Sequence, residues 1–169
     1  TAGYYARLAF FGKGSFLLAS TLALVVFPKA SKALEDGRSP AWLLVKGSIS
    51  FFVLALVGIV GILFFAEYGT RYIFGAQFDV DRKILALLVT TGTIHSYLFF
   101  LLNYGAAIME RWITYSMAGV LLLQIGMFSL NNATLVHVAV NVLIPAGAGT
   151  IAVLFCVMFA GHRPKASDE

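Results

Sequence analysis

The stretch GYYARLAFFGKGSFLLASTLALVVFPKAS, from Gly3 to Ser31, decides how the rest of the chain is read. Between Leu8 and Phe27 it is almost wholly apolar, and at 1.5 Å per residue about 20 residues of helix match a bilayer core of roughly 30 Å. Yet Arg7 stands at its start, Lys13 lies inside it, and Phe27-Pro28 closes it ahead of Lys29 and Lys32. A lysine within a membrane span costs roughly 2.5–3.5 kcal/mol on insertion scales, and such residues face a cavity, a partner or the interface. Lys13 is therefore the first candidate functional residue.

Working outward, the whole chain has the same character. Of 169 residues, 60% are hydrophobic and 12% charged, with a mean hydropathy of +0.88. Soluble domains run nearer 45–50% apolar and about 25% charged. The predicted class is therefore all-α integral membrane, a bundle of about five transmembrane helices in one domain. A net charge of +4 does not indicate nucleic acid here, because the basic residues sit between apolar runs. They read as topology signals and contacts to anionic lipid. The only cysteine, Cys156, excludes an internal disulfide.

Five spans are predicted, at 5–28, 42–66, 84–109, 113–130 and 133–160. Pro28 is expected to end the first, because proline disfavours helix in the residue before it. Polar stretches follow at 28–40 and 67–83, and the tail 161–169 is polar. Glu67, Asp79, Asp81, Arg82 and Lys83 read as a solvated loop. Pro145 falls inside the last span and offers no amide hydrogen to the carbonyl of Asn141, so a kink is expected there. Lys29, Lys32, Arg38, Lys46, Arg111, Arg163 and Lys165 lie on one side; Arg7, Lys13, Arg71, Arg82 and Lys83 lie on the other. The positive-inside rule then puts the C-terminus in the cytoplasm and the N-terminus of this chain outside a cytoplasmic membrane.

The first span also resembles the eighth helix of the flippases for polysaccharides and lipid-linked oligosaccharides. These belong to the superfamily that includes the multidrug exporters. The resemblance rests on Gly3-Tyr4-Tyr5-Ala6, on Gly12-Lys13 and on Phe27-Pro28-Lys29 with Ser31. It extends to Phe74-Gly75 with Phe78, an external loop in the family, and to Leu102-Asn103-Tyr104 in its tenth helix. It implies that this chain corresponds to spans 8–12 of a twelve-span transporter and flips a polyprenyl-diphosphate-linked sugar during polysaccharide export. It further implies that the absent N-terminal lobe, or another copy of the chain, completes the protein. The start at Thr1 and the odd number of spans carry the same expectation of upstream sequence. Substrate contacts are expected from Lys13, Arg7, Tyr4 and Asn103.

Each of these residues has a plainer reading. Lys13 lies six residues beyond Arg7, about 9 Å deeper, so its stem could snorkel to the interface. Arg7 suits an interfacial anchor, and at about 100° per residue it lies roughly 120° around the helix from Lys13. His95, His137, Asn103, Gln124 and Asn141 are polar groups within spans whose default role is contact between helices. A multidrug exporter is the nearest alternative function, but Lys13 would repel cationic drugs. A non-transporting membrane scaffold is another. A pair of carboxylates within the spans, His/Cys clusters with metal spacing and a Gly-rich phosphate loop before a helix are all missing from the sequence. No enzyme activity, cofactor or metal is expected.

Overall fold

A computed structural model describes residues 2–74, 81–108, 111–130 and 134–160. These form five helices: α1 (Ala2–Glu35), α2 (Ala41–Phe74), α3 (Arg82–Ala107), α4 (Arg111–Leu130) and α5 (Leu135–Ala160). The described residues contain no strand. Among the described residues, three helices are long and apolar enough to cross a bilayer, over Ala41–Ile73, Arg82–Ala107 and Val136–Val157; the apolar part of α4, Tyr115–Leu130, is shorter. Large apolar side chains stand on the outer surface, among them Leu24 (77% exposed), Phe64 (75%) and Ile151 (71%). Water would oppose such a surface, whereas acyl chains are as apolar as leucine. The architecture fits a membrane protein.

The first helix departs from expectation at Pro28. Proline in a helix interior costs about 3 kcal/mol, yet α1 continues two turns to Glu35. Beyond Pro28 it buries Ala30 completely, and Ser31 Oγ donates to the Ala107 carbonyl of α3 at 3.4 Å. These contacts with α3 hold the extension. The actual stop is Gly37, at φ 73°, with Gly37 N donating to Leu34 O (3.0 Å) and Arg38 N to Ala33 O (2.8 Å). That is a Schellman cap, for which glycine provides the left-handed residue without steric cost. The polar loop expected at 28–40 thus shrinks to a few residues.

A second difference lies at the end of α2, which runs past Ala66 to Phe74 through residues expected in a loop. Ala66 is buried against Leu85 and Val89 of α3, with Ile59 and Ile62 beside them. Glu67 then binds Arg71 one turn on and Arg82 at the start of α3, both at 3.0 Å. Asp81 caps α3, its carboxylate accepting from Lys83 N (2.9 Å) and Ile84 N (3.3 Å). Glu67, Asp81 and Arg82 therefore organise the join between two helices, while Asp79 and Phe78 lie outside the described residues. Trp42 and Tyr68 mark the two ends of α2's apolar run, 26 residues or about 39 Å apart. They bracket a hydrocarbon core of roughly 30 Å, as interfacial aromatics do.

α3 is the organising helix. It packs against α1, α2 and α5, whereas α4 packs chiefly on α5 and meets α3 only at a few points. Half of α3's apolar span is buried, against 17% for α2. The larger core gathers Val26, Phe51, Tyr97, Phe100, Leu101, Tyr104 and Val153 from four helices. Within it Ser48 Oγ and Tyr97 Oη share a hydrogen bond of 2.9 Å between α2 and α3. Pro145 sits fully buried inside α5.

Candidate functional site

Lys13 occurs in α1 with an exposed side chain. Among the described side chains of α1 the buried ones are Ala23, Val26 and Ala30, and at about 100° per residue Lys13 stands roughly 100° around the helix from them. Leu17, Leu24 and Phe27 follow Lys13 at offsets of 4, 11 and 14 residues, which keeps all four within about 40° of one stripe. All of them are exposed.

That stripe leads to a cavity. Leu24 and Phe27, with Ala23, form the α1 wall of a depression of about 300 Å³, and Phe99 and Asn103 of α3 form the other. Leu24 is 11 residues from Lys13, about 16 Å along the helix axis. Lys13 and Asn103 thus lie toward the same side of the bundle, with Leu17, Leu24 and Phe27 on the stripe between them, and they are not in direct contact. Tyr4 and Arg7 fall within α1, but their side chains lie outside the described residues.

Asn103 does not bridge helices in the way buried amides usually do. Its Nδ2 donates to the Phe99 carbonyl one turn back, at 2.8 Å. This bond fixes the side chain on the cavity wall and occupies one of its two amide hydrogens; the Oδ1 atom can still accept.

On the other side of Phe99 lies a second cavity of about 210 Å³, bounded by α3, α4 and α5. It carries His95 and Gln124 among apolar residues that include Leu102, Met117 and Val120. Phe99 lines both cavities, so His95 and Gln124 on one side of it and Asn103 on the other belong to two neighbouring cavities along α3. Sequence reading treated these three as separate polar residues, because their common location depends on how the helices are arranged. The positions of His95 and Asn103 in α3 carried a partial signal, since residues 95, 99, 102 and 103 share a helix face.

The remaining intramembrane polar groups are elsewhere. Asn141 is buried in α5, and His137 Nδ1 is buried with no hydrogen-bond partner among the described residues. The described residues contain no group of three or more His, Cys, Asp or Glu side chains suited to a metal. No protein-family model, curated protein or solved structure matches this chain.

Proposed function

We infer that this chain is one lobe of a membrane transporter that flips a lipid-linked oligosaccharide or polysaccharide precursor across the cytoplasmic membrane. The observation that carries the reading is the exposed Lys13 on the same side of α1 as Leu17, Leu24 and Phe27, the last two of which wall the Asn103 cavity. An amphiphile with an anionic head matches that layout. Its diphosphate would meet the Lys13 ammonium, where low surrounding dielectric strengthens the attraction. Its apolar chain would lie along Leu17, Leu24 and Phe27, and a sugar hydroxyl would donate to Asn103 Oδ1. Arg7 and Tyr4, toward the outer end of α1, would meet the head on release. All five helices would span, with the C-terminus in the cytoplasm. A second lobe, from a further segment or another copy, would close over the Asn103 cavity and permit alternating access.

The test is flipping of a fluorescent polyprenyl-diphosphate sugar in vesicles holding the intact transporter. Lys13→Arg is expected to retain part of the activity, because charge is kept while reach and shape change. Lys13→Gln and Lys13→Glu should abolish it with insertion unchanged, and Arg7→Gln should cost less. If Lys13→Gln inserts normally and flips at the wild-type rate, Lys13 only snorkels and the reading fails.

A further inference from the structure

The cavity between α3, α4 and α5 is unexplained by the transport reading, which uses Lys13 and Asn103 on the other side of Phe99. Two features of it point to a ligand. First, His95 and Gln124 both line it, and neither side chain makes a hydrogen bond to any described residue. His95 stands midway along α3, and Gln124 lies in the second half of α4, six residues before Leu130; both are within apolar helix, where acyl chains offer no partner. Second, the remaining lining is apolar, with Phe99, Leu102, Met117 and Val120 around the polar pair.

We propose that this cavity binds an uncharged, ring-headed lipophile of the quinone class, held by hydrogen bonds from His95 and Gln124. Size supports a ring: a dry apolar cavity of about 150 Å³ takes benzene, and this one, at about 210 Å³, has room for substituents as well. Chemistry selects the oxygens. A neutral imidazole and a primary amide each present an N–H donor, and a quinone carries two carbonyl acceptors. Phe99 and Leu102 give the ring apolar contact, and the Met117 thioether suits a ring edge. An acyl chain would fill the space but leave both polar groups unpaired. Water would pair them but wet the apolar wall. A diphosphate lipid finds no fixed cation among the lining residues. The cavity opens at the side of the bundle, so a lipophile can enter from the bilayer and leave its tail there. Binding alone is proposed, with no electron transfer.

The test measures saturable binding of decylbenzoquinone to the full chain in nanodiscs, against protein-free discs. Decylbenzene, which has no oxygens, and a decylphenol serve as comparison probes. One saturable site per chain is expected for the quinone, with decylbenzene showing only partition. Gln124→Leu and His95→Phe should each weaken binding about tenfold, the scale of one hydrogen bond. Met117→Trp, at a half-exposed position, should fill the cavity and remove the site while helix content stays unchanged. The proposal is overturned if the quinone shows no saturation above protein-free discs. It also fails if decylbenzene or decylphenol binds as tightly, or if Gln124→Leu and Met117→Trp both leave quinone binding intact. These outcomes leave the flipping assay untouched, since Lys13 and Asn103 are not altered.

Discussion

Replacing Gly47 by alanine adds one methyl group where three helices meet. The new Cβ would lie 2.6 Å from Phe100 Cζ, 3.2 Å from its Cε2 and 3.4 Å from Val26 Cγ2. Favourable carbon–carbon contact needs about 3.5–4.0 Å, so the Phe100 ring would have to move by about 1 Å. It has nowhere to go. Phe100 is completely buried and stacks on Tyr97 at 6.1 Å and on Phe51 at 6.3 Å between ring centres. Overpacking of this kind costs about 1–3 kcal/mol. Alanine also gains about 1 kcal/mol of helix propensity over glycine, which would mask part of the loss. Gly61 supplies the control, since it lies in the same helix and a Cβ there meets nothing within 4 Å. Subtracting one variant from the other cancels propensity and leaves the steric term. Gly47→Ala should therefore be less stable than Gly61→Ala by about 1–3 kcal/mol, measured by SDS titration in mixed micelles with circular dichroism. Equal stabilities for the two variants would refute the close approach of α2 to Phe100.

Further outcomes test other parts of the bundle. Tyr97→Phe removes the bond to Ser48 but keeps the ring, so the same titration should show a loss of about 0.6 kcal/mol and no more than about 1.7. Glu67→Gln weakens two half-exposed ion pairs, with Arg71 and Arg82; the loss should stay below about 1 kcal/mol and disappear in 1 M salt. A loss that persists in high salt would point to another role for Glu67. For orientation, cysteines are placed at Ser39 and Tyr72 in a Cys156→Ala background, at opposite ends of α2. An impermeant thiol reagent on intact cells should label the cysteine at Tyr72 and spare the one at Ser39; the reverse pattern would invert the topology.

Much of the local structure was legible in the chain itself. Long runs of Leu, Ile, Val and Phe with few charges dictate apolar helices, because only a helix satisfies its own backbone in lipid. The breaks were harder to read. Pro28 looked like the end of the first helix, yet Ala30 and Ser31 bind α3 and carry the helix on to Gly37. A breaker's local cost can be outweighed by contacts that come from a helix more than 70 residues away in sequence. Likewise Glu67 and Arg82, plain charges in a row of charges, form a pair only because Ala66 lies against Leu85.

The face each helix turns inward was decided by the tertiary structure alone. In water an amphipathic stripe reveals it, but here lipid and protein interior are equally apolar, and the 3.6-residue pattern carries little contrast. Composition therefore marked His95, Asn103 and Gln124 as unusual without showing that they line two cavities meeting at Phe99. Their proximity follows from α3 lying at the centre with α4 held off it by α5, a choice made by side-chain fit. The same holds for Lys13. Its cost in a membrane is fixed by its chemistry, but its place above the Asn103 cavity exists only once α1 has docked on α3.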